Sequence, residues 1–210
     1  IIELEQVGID SSRIAWEWHL WEHTVQDLYP DLSNYGSISE NPGKININLG
    51  SLGGGGGASG DWIHLNSIDY NQDLDLIAIS SRKMNEFYFI DHSTTINEAA
   101  SDAGGNFNLG GDFVYRWGNP DNYNRGDASD QVLLSQHSVN WIDSNYPGGG
   151  DIILFNNRTE ELGSEVLQIN VPVDDFNYEI DSAAPHSPET YIWRYGDGSF
   201  WSGIQSGAFR

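Results

Sequence analysis

The chain has 210 residues, with 31 acidic against 9 basic side chains, a net charge of -22 and no cysteine. That charge repels phosphate backbones and anionic lipid, which sets aside nucleic acid and membrane surfaces as partners. The missing cysteines remove disulfides, thiolate metal sites and cysteine nucleophiles, and 12% aromatic residues mark a folded chain rather than an acidic tail.

The chain opens at Ile1, its single methionine is Met84, and it reads as part of a longer protein. Arg13-Ile-Ala-Trp-Glu-Trp18 has the pattern of a strand, and Trp16 to Asp27 fits a short helix or a loop. The five glycines of residues 53–57 read as a flexible insertion. No apolar run approaches the length needed to span a bilayer, so no membrane span is expected.

From residue 61 onward, four short segments occur twice in the same order. Trp62-Ile-His-Leu-Asn-Ser-Ile-Asp69 faces Gln136-His-Ser-Val-Asn-Trp-Ile-Asp143 at an offset of 73 or 74. Asp75-Leu-Ile-Ala-Ile-Ser-Ser-Arg82 lies over Asp151-Ile-Ile-Leu-Phe-Asn-Asn-Arg158 at an offset of 76. Residues 86–91 lie over 165–170 at 79, and residues 113–118 over 191–196 at 78. The one-residue slack in the first segment matters, because a shift of one turns a strand's side chains to the other face.

Each segment is rich in Ile, Val, Phe, Tyr and Trp and bounded by Gly, Asn, Asp or Pro, the composition of strands between turns. The expected class is all-β. Four antiparallel strands repeated as a unit describe a β-propeller blade; the alternative is a sandwich of unrelated hairpins. On the propeller reading, residues 1–60 close one blade and hold the glycine insertion. Residues 61–130 and 131–199 are two complete blades, and residues 200–210 begin another.

In a propeller the innermost strand of each blade lines the central channel, so polar residues there are the functional candidates. His64 and Asn66, two apart, share a strand face; Gln136, His137 and Asn140 are their counterparts in the second repeat. Arg82 ends the second strand, and a hairpin returns it to the neighbourhood of His64. A guanidinium beside imidazoles in so acidic a chain makes a positive island suited to a small anion. Arg158 occupies the matching place in the second repeat, where an architectural role is the alternative.

The remaining histidines carry less. His92 sits at a strand end and is expected to bond the turn, and His186 lies in a loop. His19 and His23 have a zinc-like spacing without a third ligand nearby. Asp73, Asp75 and Asp174-Asp175 read as solvated acidic faces rather than calcium loops. Asn157-Arg-Thr159 has the glycosylation spelling. No metal or other cofactor is expected.

Asp61-Trp-Ile-His-Leu-Asn-Ser67, Ser80-Ser-Arg82, Ile90-Asp-His-Ser-Thr-Thr95, Tyr115-Arg-Trp-Gly-Asn-Pro120 and Gln136-His137 together resemble the aryl-sulfate sulfotransferase family. The resemblance implies a six-bladed propeller, periplasmic or extracellular, that moves a sulfuryl group from an aryl sulfate to a phenol without a nucleotide donor. It implies ping-pong chemistry through a sulfated histidine, which by motif is His137. His64, Asn66 and Arg82 would bind the sulfuryl and phenolic oxygens, with His64 exchanging the phenol's proton. Asn140 and Trp62 join them as substrate contacts, Trp62, like Trp141, as a stacking face for the aryl ring or else a core side chain. The rivals are a non-catalytic propeller that binds a ligand or scaffolds partners, and a metal-dependent sulfatase or hydrolase.

Overall fold

A computed structural model describes residues 1–51, 60–158, 163–173 and 184–210. The glycine run 53–57, Thr159 and the Asp174-Asp175 pair lie outside the described residues. β1 (Ile2–Gln6) and β2 (Ser12–Glu17) form an antiparallel hairpin, and β3 (Thr24–Val25) and β4 (Ile45–Asn46) a short parallel pair. The region from Trp16 to Asp27 thus holds the end of β2, a 3-10 turn at Leu20–His23, and β3.

β5 (Leu65–Asn71), β6 (Leu76–Ser81), β7 (Glu86–Asp91) and β8 (Phe113–Trp117) follow one another in a four-stranded antiparallel sheet. β9 (His137–Trp141), β10 (Ile152–Asn156), β11 (Glu165–Ile169) and β12 (Trp193–Tyr195) build a second sheet in the same order. The all-β expectation holds, and among the described residues no sheet closes on itself. The one α-helical turn, Ile96–Ala99, is held by a capping box between Thr95 and Glu98.

Strands β6 and β7 are buried along their whole length, which is why they read as unbroken apolar runs. Ile77, Ile79, Tyr88 and Ile90 pack on Trp16 and Trp18 from the amino-terminal side. Leu76, Ala78, Phe87, Phe89 and Trp117 pack on Val139, Ile152, Leu154, Leu167 and Ile169 of the second sheet. Each such large apolar side chain contributes about 1.5–3 kcal/mol by leaving water.

Hydrogen bonds stitch the two sheets together. Ser67 Oγ accepts from the Val139 amide at 3.1 Å and Asp69 Oδ2 from the Trp141 amide at 2.9 Å, so side chains of β5 cap the free edge of β9. On the opposite edge, the loop that holds His186 reaches back to the first sheet. Tyr115 donates its hydroxyl to the Ser187 carbonyl at 2.6 Å, and Trp117 its indole N–H to the Pro188 carbonyl at 2.7 Å.

The ladders change the correspondence between the repeats. Ile77 and Ile79 face the preceding element as Ile152 and Leu154 do, an offset of 75 rather than 76. The Lys83 amide bonds the Ile63 carbonyl, and the Arg158 amide bonds the Leu134 carbonyl. His64 and Ser135 are both left-handed, at φ 50 and 57. Arg82 is therefore matched by Asn157 and Arg158 by Lys83, with Ser135 standing where His64 does. The cause is the pleat: identical letters one residue apart point to opposite faces, and only burial decides which set is equivalent.

Candidate functional site

His137 opens β9 beside a β-bulge. Ser138 is left-handed at φ 57, and the pairing with β10 skips between Ile153 and Phe155. The residue is 8% exposed, and its Nδ1 lies 2.7 Å from Asn157 Oδ1. Its Nε2 has no hydrogen-bond partner among the described residues.

His137 lines a cleft of about 500 Å³ whose walls come from three successive stretches of chain, 66–69, 137–140 and 205–207, with Phe209. Gln205 to Ala208 runs beside β9 without joining a sheet; Asn140 Nδ2 donates to the Ala208 carbonyl at 3.1 Å and to the Ser138 carbonyl at 2.7 Å. In the parallel contact one repeat earlier, Asn66 Nδ2 donates to the Gln136 carbonyl at 2.7 Å. Asn66 Oδ1 is buried without a partner among the described residues, an open acceptor in the cleft wall.

A second group forms around Arg82. His64 Nδ1 lies 2.7 Å from Asp61 Oδ2, and this bond, with the charges of Lys83 and Arg82 behind it, lowers the Asp61 carboxyl below its ordinary value. The Arg82 amide donates to the His64 carbonyl at 3.1 Å. Its guanidinium makes no hydrogen bond or ion pair among the described residues.

The two groups are neighbours through Gln136. Its buried Nε2 donates to Ser80 Oγ, the Ser81 carbonyl and the Glu86 carbonyl at 3.0, 2.9 and 2.8 Å. Stretches 64–66, 80–82 and 136–137 are thereby held side by side. Among the described residues, no hydrogen bond, ion pair or ring contact joins His137 to Arg82 or to His64. Trp62 does not line the cleft; its ring lies 6.1 Å from that of Trp21, in the apolar cluster of the amino-terminal side. Arg158 Nη1 grips Glu165 Oε1 at 2.7 Å, an architectural contact.

The other histidines are committed elsewhere. His23 is fully buried between Asp112 Oδ1 and the Ala99 carbonyl, each at 2.8 Å, and stacks on Trp18. His92 bonds not its own turn but Asp75 Oδ1, where β5 turns into β6, at 2.8 Å and Glu3 Oε2 at 3.1 Å. His186 contacts the Pro188 and Asp130 carbonyls, and His19 pairs with Glu17. No group of three metal-ligating side chains occurs among the described residues. Sequence reasoning missed Asn157 and Asp61 as partners of the two imidazoles. Asp61 was open to view three residues before His64, whereas Asn157 became legible only when its register was known. Full burial of Asn157 also keeps it from serving as a glycosylation acceptor in the folded chain.

The fold and cleft define an all-β protein of repeated antiparallel sheets, with a buried histidine in the wall of a cleft. The family model described as Arylsulfotransferase (ASST) matches residues 7–208, and the chain belongs to that family. Small-molecule aryl sulfates and phenols are the substrates this membership implies. A comparison with curated proteins finds no match.

Proposed function

We propose that this protein moves a sulfuryl group from an aryl sulfate to a phenol in two steps, with His137 as the intermediate carrier. The observation that supports this most is His137 itself: one ring nitrogen is tied to Asn157, the other is unpartnered, and the ring lines a cleft between three stretches of chain. In the first step the Nε2 lone pair forms a bond to sulfur as the sulfur–aryloxide bond breaks. The bonding pair leaves on the aryl oxygen, which takes a proton from His64. In the second step an acceptor phenol attacks the same sulfur, gives its proton to His64, and returns the electron pair to Nε2.

A sulfuryl group in transfer spreads negative charge over three oxygens, so fixed donors aimed at it lower the barrier. Arg82 and the Asn66 Nδ2 hydrogen not given to the Gln136 carbonyl are the proposed donors. Asn140, in the cleft wall, is the proposed contact for the aryl part, while Trp62 stays with Trp21 in the apolar cluster. The two sheets act in this reading as successive blades of a β-propeller, with β5 and β9 innermost, which explains why the cleft lies along their shared edge.

The test is mass spectrometry of the protein after exposure to an aryl sulfate. A single added sulfuryl group on the peptide holding His137 is expected, and its loss in His137→Ala. A folded, substrate-exposed protein that is never labelled is instead a ligand-binding module. Transfer is expected to persist in the presence of chelator; its loss points to a metal-dependent hydrolase.

A further inference from the structure

We infer that Asn157 is the positioning residue of the nucleophile, holding His137 in the tautomer that leaves Nε2 bare; this rests on the reading of His137 just given. The argument begins with what an amide can do: its nitrogen only donates and its oxygen only accepts. Asn157 Nδ2 is committed to two carbonyls, Ser202 at 2.7 Å and Gln205 at 2.9 Å. The oxygen is therefore the atom facing the imidazole at 2.7 Å, and His137 Nδ1 carries the proton. The lone pair is left on Nε2.

Asn157 is itself fixed in place. It is fully buried, and its carbonyl accepts from Ser164 Oγ at 3.0 Å. That hydroxyl in turn accepts from the Ser202 amide at 2.8 Å. Three segments thus converge on one residue, two of them on its side chain, and the ring it holds has little freedom to turn.

An amide at this place has a different consequence from a carboxylate. When Nε2 takes the sulfuryl group the ring keeps its Nδ1 proton and becomes a sulfo-imidazolium. A carboxylate at position 157 stabilises that cation and the protonated free imidazole alike. The neutral amide orients the ring without that stabilisation, so the sulfated ring stays a good donor to the phenol. The remaining charged side chain in the described cleft wall is Asp69, whose Oδ2 is turned to the Trp141 amide. By register Asn157 stands where Arg82 stands one sheet earlier. The same position presents an anion-binding cation in one repeat and a tautomer holder in the next.

The experiment compares the protein with Asn157→Asp and Asn157→Leu. Histidine nitrogen NMR of the unmodified protein is expected to show Nε2 unprotonated and Nδ1 protonated. Rapid-quench release of phenol in the first half-reaction is expected to slow by about 10–100-fold in Asn157→Leu, with the KM for aryl sulfate little changed. In Asn157→Asp the pH midpoint of that half-reaction is expected to rise by about 1–3 units, and the sulfated His137 peptide to persist longer before acceptor is added. A proton found on Nε2, or an Asp variant with an unmoved pH profile, overturns the inference. If Asn157→Leu does not fold, the spectrum and the near-isosteric Asp variant decide. Absence of any sulfated His137 peptide in the unmodified protein sinks the nucleophile reading, while the spectrum still judges Asn157.

Discussion

Arg116 holds Glu86 by both carboxylate oxygens, Nε to Oε1 at 2.9 Å and Nη2 to Oε2 at 2.6 Å, where neither side chain reaches solvent. Burial opposes the charge on Arg116, and the carboxylate outweighs it, so the guanidinium titrates above its ordinary range. Its remaining donors reach the Pro42 and Lys44 carbonyls, and the Tyr123 ring lies 4.0 Å from its carbon. Asn122 Nδ2 and the Tyr88 hydroxyl also donate to Glu86 Oε2, at 2.8 and 3.1 Å. The pair links β7, β8 and the chain before β4.

Removing one partner leaves a buried charge alone. Glu86→Gln or Arg116→Met is expected to cost about 3–5 kcal/mol in urea unfolding, and the double variant Glu86→Leu with Arg116→Met clearly less than the two costs together.

The clasp between the sheets rests on few groups. Tyr115→Phe deletes the hydroxyl that the Ser187 carbonyl accepts from and keeps the ring among Phe87 and Phe89. A loss of about 1–3 kcal/mol is expected, because a half-buried carbonyl is left unmatched. Unfolding curves of the variant against the parent measure it.

Asp75 and Tyr70 make opposite contributions with pH. Partial burial opposes the Asp75 charge, but bonds from His92 and the Tyr70 hydroxyl outweigh it and lower its carboxyl. Its stabilisation is complete above an unfolded value of about 3.9 and fades as pH falls through the lower folded value. The same carboxylate pushes the Tyr70 phenol up to about 12. That contribution is complete below about pH 10 and is lost as pH rises through the folded value. Melting temperature against pH is expected to flatten on the acid limb in Asp75→Asn and on the alkaline limb in Tyr70→Phe.

If His64 carries the phenol's proton, its removal is felt by leaving-group basicity. His64→Gln is expected to slow transfer from sulfates of weakly acidic phenols by about 10²–10⁴-fold. Sulfates of strongly acidic phenols need no such proton, and their rates should change far less. A leaving-group plot of kcat/KM for both proteins reads this directly; parallel lines refute the role.

Much of this protein was open to reading from letters alone. The buried strands announced themselves as apolar runs, such as Leu76–Ser81 and Glu86–Asp91, because a strand covered on both faces has no polar alternation to hide it. The repeat, the all-β class and the family followed from segments whose order survives any small error in alignment. What the letters left open was register. Asp75 aligned with Asp151 is the letter-for-letter match, yet it places Leu76 over Ile152, which look in opposite directions along the stack. The partners of each strand, a bulge at Ser138 and the packing on Trp16 and Trp18 decided that question. Because the pleat repeats every two residues, one step of register exchanges the inner and outer sets wholesale. That step turned Asn157 from a surface-like spelling into the residue that holds His137, and only the folded chain contains it.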